Sequence, residues 1–110
     1  MSKYSAKRID FDGFLFDSLA ECRRYRELKL LEQAGLITGL IVHPSFILQP
    51  PFKHHGRSER AIRYEADFSY FEKGAEVVED VKGVRTQLFE VKRKMLLYRF
   101  PDLDFRIVEA

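Results

Sequence analysis

The chain contains one cysteine, Cys22, in 110 residues. An internal disulfide is therefore excluded, and a lone thiol fits a reducing compartment, with Cys22 as a small buried residue. Long apolar runs are also missing. Nothing approaches the roughly 20 residues that a transmembrane helix needs, and the opening "MSKYSAKRID" has no apolar signal core. The expectation is a cytoplasmic protein with no membrane partner. Low-complexity tracts, Ser/Gly linkers and internal repeats are absent too, and 110 residues suffice for one core but not two, so residues 1–110 read as a single domain. Finally, charge of one sign is scarce in the balance: 19 Lys and Arg against 17 Asp and Glu leave +2. That neither demands nor excludes a polyanionic partner, so the placement of charge must decide.

What is present is clearly patterned. "KRIDFDGFLFDS" alternates apolar residues around Asp12-Gly13, a two-residue hairpin signal. In "DSLAECRRYRELKLLEQAGLITGL", Ser18 is an apt N-cap, Cys22, Tyr25, Leu28 and Leu31 recur at helical spacing, and Gly35 suits a C-cap. "SFILQPPF" reads as a strand stopped by Pro50-Pro51, followed by a polar, basic loop, "KHHGRSER". "AIRYEADFSYF" and "EVVEDVKG" read as two strands joined around Lys73-Gly74. "TQLFEVKRKMLLYRF" carries an apolar stripe of Leu88, Val91, Met95 and Tyr98 and ends at Pro101, and "LDFRIVEA" is a last strand. After the hairpin the order is α-β-β-β-α-β, an α/β (mixed α+β) fold whose closing β-α-β unit makes a parallel pair.

Acids interrupt the best strand-forming residues. Strand alternation turns Asp80 and Lys82 to one face and Glu79 to the other, and groups Glu65 with Asp67. A hairpin with a two- or four-residue loop centred on Lys73-Gly74 places Asp67 opposite Asp80 and Glu65 opposite Lys82. Opposed Cβ atoms lie about 4.5–5.5 Å apart, and like charges so placed destabilise a sheet unless a cation intervenes or one is protonated. A hard divalent cation is one remedy, since Mg²⁺ needs only one or two carboxylates plus water and substrate phosphate. A Glu65–Lys82 cross-strand salt bridge with solvated aspartates is the other reading. Glu21 has two readings as well. "SLAE" is a capping box, yet Glu21 shares the core-facing side of its helix with Tyr25 and Leu28.

Together these residues resemble the PD-(D/E)XK nuclease superfamily. Its α-β-β-β-α-β core carries an acid on the first helix, an Asp on the second core strand and (D/E)-x-K on the third, matched here by Glu21, Asp67 and the "DVK" of Asp80 and Lys82. The likeness spans about residues 14–108. It is nearest in style to phage endonuclease I-type Holliday-junction resolvases and to a phage and prophage family placed in the same superfamily. Ala66 stands where a proline often precedes the strand Asp, and Val91 stands where the exonuclease branch has a tyrosine four residues after its Gln.

The resemblance implies a restriction-endonuclease-like fold and a Mg²⁺- or Mn²⁺-dependent DNA endonuclease using one or two ions. Asp67, Asp80 and the Val81 carbonyl would be metal ligands, Glu21 would orient water or bind a second ion, and Lys82 would face the attacking water and scissile phosphate. Lys92 is a further candidate, since a lysine recurs near that place in such proteins, although a lysine covering apolar surface is the plainer reading. Lys53, Arg57, Arg60 and Arg63 lead into the Asp67 strand and suit phosphate contacts, or else a solvated loop. A chain this small that makes two cuts in a junction implies a homodimer, joined through the N-terminal hairpin or the first helix. General nicking or repair cleavage, a DNA-binding module of a phage complex without activity, and a protein-interaction domain are the alternatives. The resemblance places the protein in the cytoplasm of a bacterial host as a phage or prophage product.

Overall fold

The computed structural model describes residues 8–110; Lys7, where the hairpin reading begins, and most of the "MSKYSAKRID" segment lie outside the described residues. Strands β1 (Ile9–Phe11) and β2 (Phe14–Phe16) pair antiparallel. Their turn, Asp12-Gly13, has φ of 56° and 84°, the doubly left-handed geometry that a two-residue hairpin requires. Helix α1 (Leu19–Gln33) starts at Ser18, whose hydroxyl accepts the Glu21 N–H at 3.1 Å. It ends through Gly35 at φ 77°, with the Leu36 N–H returning to the Leu31 carbonyl at 3.0 Å. Cys22, Tyr25 and Leu28 are buried along its inner face and Leu31 packs beside them.

Next the chain forms one long antiparallel hairpin with two breaks. It runs out through β3 (Thr38–Val42), β4 (Ser45–Gln49) and β5 (Phe52–His54), and returns through β6 (Arg57–Glu59), β7 (Ile62–Glu65) and β8 (Phe68–Glu72). The pairs β3–β8, β4–β7 and β5–β6 are all antiparallel. The segments read as a single strand (61–71) and as a basic loop (53–60) are thus corrected. The former breaks at Ala66-Asp67, and the latter is two short strands closed by His55-Gly56, with φ of 49° and 78°. The first core strand is likewise β3 rather than 45–52, because β4 pairs with β7 outside the main sheet.

Strand β9 (Ala75–Lys82), helix α2 (Gln87–Arg99) and strand β10 (Asp104–Glu109) complete the chain. The central sheet has the order β10-β9-β8-β3, with β9–β10 parallel and the other pairs antiparallel. This is an α/β fold in which an N-terminal β-hairpin precedes a restriction-endonuclease-like α-β-β-β-α-β arrangement. Alternation along β9 feeds two cores: Val77 joins Phe16, Tyr25, Leu28, Ile37, Phe68 and Tyr70 on the α1 side, and Val78 joins Leu48, Tyr64, Phe89 and Leu96 on the α2 side. Helix α2 buries Phe89 and Leu96, whereas Leu88, Val91 and Tyr98 of the expected stripe are exposed, Tyr98 to 90%. No helix among the described residues is long and apolar enough to cross a membrane.

Glu79 is wholly buried on the α1 side, where Arg24 grips both its oxygens at 2.8 and 2.7 Å and the Tyr70 hydroxyl donates to it. The Glu79 hydrogen bonds are the main cause holding the Arg24 guanidinium above its ordinary value. Removing one partner of a buried pair leaves an uncompensated charge, typically a loss of 3–5 kcal/mol. Arg24→Ala should therefore lose about 3 kcal/mol or more in urea unfolding; a loss within the range of a surface substitution would contradict this account.

Candidate active site

Asp67 sits at the break between β7 and β8. Its N–H donates to the Glu79 carbonyl at 3.1 Å and its carbonyl accepts the His43 N–H at 2.9 Å, while the Ala66 N–H donates to the Pro44 carbonyl at 3.0 Å. The outgoing strand breaks at the same level, at His43-Pro44, with His43 at φ 56°. The Asp67 side chain then turns across to β9, where its Oδ2 accepts the Val81 N–H at 2.6 Å.

The β8–β9 ladder keeps the expected register from Glu72↔Ala75 to Phe68↔Glu79. It stops one residue short of an Asp67–Asp80 pair, because the strand breaks and Asp67 spends its backbone and one carboxylate oxygen on the break. Glu65 is not opposite Lys82 either: it pairs with Ser45 on β4. The carboxylates nevertheless meet. Asp80 is 1% exposed, and the Tyr64 hydroxyl donates to its Oδ2. Burial is the main cause that pushes Asp67 and Asp80 each up to about 6; the Asp67 charge adds to the rise at Asp80, and Glu21 adds to the rise at Asp67.

Glu21 is buried, and its side chain does not complete the expected capping box by reaching back. Its Oε1 instead lies 2.9 Å from His43 Nε2. Lys82 ends β9 with its ammonium 4.7 Å from the centre of the Phe89 ring. An open cleft of about 470 Å³ is lined by Asp80, Lys82, Tyr64, Glu65, Arg63 and Lys92, among others. A neighbouring hollow of about 320 Å³ is lined by Asp67, His43, Glu65, Ala66 and Asp17. The structure thus gathers Glu21, Asp67, Asp80 and Lys82 with the Val81 backbone, and brings Arg63 and Lys92 to the cleft wall. Lys53, Arg57 and Arg60 lie apart, on and just after the β5–β6 ribbon.

His43, Tyr64 and Glu65 belong to the site without having been singled out for it. Tyr64 could have been suspected, since it shares a strand with Asp67. Nothing in the local sequence marks His43, whose role depends on the breaks lying side by side. Among the described residues no group of three or more His, Cys, Asp or Glu side chains is arranged to hold an ion. Half-buried Asp67 and buried Asp80, close enough that the Asp67 charge raises the proton affinity of Asp80, are still a donor set suited to a hard divalent cation, which takes one or two carboxylates and fills its shell with water and phosphate.

The mixed sheet between two helices, with acids at the strand break and a lysine two residues beyond Asp80, resembles the PD-(D/E)XK core. The fold is nuclease-like and consistent with an enzyme of that type. The chain belongs to the family described as protein of unknown function DUF1064, whose profile matches residues 1–110. No curated protein and no solved structure matches it.

An acid whose proton affinity is raised on folding is destabilising when ionised. The folded state binds more protons than the unfolded one between the ordinary aspartate range, near 3.8, and about 6. Without divalent metal, the contribution from Asp67 and Asp80 is thus most favourable below pH 4 and is lost as pH rises through about 6, on the order of 3 kcal/mol for each aspartate. Relative to an Asp67→Asn/Asp80→Asn variant, which should lack this component, wild-type urea stability should fall across that window. Parallel pH profiles would contradict the assignment.

Proposed function

We propose that the chain is a divalent-metal-dependent DNA endonuclease acting on branched DNA such as a Holliday junction. The observation that carries this reading is the meeting of half-buried Asp67 and buried Asp80 beside Lys82, next to a cleft that Asp80 and Lys82 line and whose wall also carries Arg63 and Lys92. Oδ2 of Asp67 is fixed by the Val81 N–H and Oδ2 of Asp80 by Tyr64, so Oδ1 of each remains to hold an ion. A bound Mg²⁺ or Mn²⁺ would supply a nucleophilic hydroxide at neutral pH and neutralise phosphate charge.

The residues around it divide the remaining work. The Val81 carbonyl would be a further ligand to one ion, and Glu21, steadied by His43, would orient the attacking water or serve a second ion. Lys82 offsets the carboxylate charges and presents its ammonium to the scissile phosphate, held close by the Phe89 ring. Arg63 and Lys92 would contact flanking phosphates, with Lys53, Arg57 and Arg60 extending that contact outward. A branched substrate fits a small chain acting as a homodimer, because resolving a junction takes two cuts. The lack of a three-ligand group among the described residues favours one second reading, a DNA-binding module that does not cut.

Cleavage of matched four-way junction, linear duplex and single-stranded DNA, with Mg²⁺ or with EDTA, tests the proposal. Metal-dependent cutting of the junction in preference to duplex is expected, with Asp80→Asn and Lys82→Ala each reducing the rate by about 10²-fold or more. Equal cutting of all substrates would remove the branched-DNA assignment. Binding without cutting under Mg²⁺ or Mn²⁺ would establish the second reading instead.

A further inference from the structure

Among the described residues, the outer end of the long hairpin adds nothing to either core. Every residue of β5 and β6 is exposed, including Phe52 at 47%. An isolated two-stranded hairpin is marginal in water, and an extension with no core of its own adds little to stability. It also widens the molecule: the radius of gyration is 15.7 Å, where a compact chain of this length has about 13 Å.

The composition of this end indicates an occupant. Lys53 and Arg57, with Arg60 just beyond, outnumber the one carboxylate, Glu59, and His54 and His55 lie at the tip. Strand alternation places Lys53 and Ser58 on one face of the ribbon and His54 and Arg57 on the other, so each face offers a cation and a hydrogen-bonding side chain. The ribbon is continuous with the cleft, since β7 carries Arg63 and Tyr64 from its base into the wall around Asp80. From Arg57 to Arg63 the chain spans at most about 20 Å at 3.3 Å per residue, on the order of six base pairs of duplex.

We propose that the β5–β6 ribbon lies in the major groove of the duplex that flanks the scissile phosphodiester. The major groove, about 12 Å wide, admits a two-stranded β-ribbon, and the basic side chains at its margins reach the phosphates on either side. This inference rests on the endonuclease reading and adds the element that grips duplex beyond the cleft. A second copy of the chain is the competing occupant.

The test is DNA binding by the full-length Asp80→Asn protein without metal, with and without Lys53→Gln/Arg57→Gln/Arg60→Gln, on a four-way junction with 20-base-pair arms and on linear duplex. All three residues are exposed, so thermal melting should stay within a few degrees of the parent. The triple substitution should weaken binding at least tenfold at 0.1 M salt and flatten the slope of log Kd against log salt by about 2–3. Glu59→Gln should bind at least as tightly as the parent. Methyl green, a major-groove ligand, should compete with the parent more strongly than with the triple variant. If the parent binds and the triple variant matches it in affinity and slope, the ribbon assignment falls and the endonuclease reading stands; a loss of dimer mass in that variant would then assign the ribbon to a second copy. Competition by the minor-groove ligand netropsin, and not by methyl green, would overturn the groove assignment. A parent that binds no DNA would overturn both readings.

Discussion

The Asp67 carboxylate accepting the Val81 N–H is the contact on which the site depends. A regular ladder would have carried β8 straight on into β7 and kept Asp67 as one more strand residue. Instead both strands of the long hairpin break at the same level, at His43-Pro44 and Ala66-Asp67, and Asp67 ties the break to β9 through the backbone at Glu79 and the side chain at Val81. Backbone groups left unpaired by a broken ladder must find partners when they are buried. Asp67 and its neighbours supply them, which is why the break can sit inside the protein. Among the described residues no buried side-chain nitrogen or oxygen lacks a partner.

Strand period then turns two adjacent acids to opposite faces of the sheet. Glu79 turns toward α1, where Arg24 and Tyr70 neutralise and bind it. Asp80 turns toward α2, where the Tyr64 hydroxyl fixes it and the cleft opens beside it. The first arrangement is closed and stabilising; the second keeps charge in short supply of partners. A carboxylate pair held this way is poorly placed for a protein without a cation and well placed for one that binds a cation.

Much of this was legible in the sequence. Asp-Gly and Lys-Gly turns, the Ser18 cap and the Gly35 stop are local signals, and the structure realises each of them. The register of the Lys73-Gly74 hairpin followed from its turn and held down to Phe68↔Glu79. The exposure of Leu88, Val91 and Tyr98 was not legible, since periodicity reports a stripe and not what covers it. In α2 the two buried anchors, Phe89 and Leu96, lie on a different face. The β5–β6 ribbon was hidden by its polarity and by a His at a turn position where Asn or Asp is the usual marker. His43 was out of reach for another reason: its place beside Glu21 and Asp67 is set by tertiary pairing, across strands that local pattern does not align.

The central claim is that Asp67 and Asp80 together form the seat of a divalent cation. Anomalous scattering from crystals grown with Mn²⁺ at pH 8 addresses it directly. The account predicts a manganese peak between the Oδ1 atoms of the two aspartates, within coordination distance of both and beside the Val81 carbonyl. No peak there, or manganese bound only at a site that excludes Asp67 and Asp80, would contradict it.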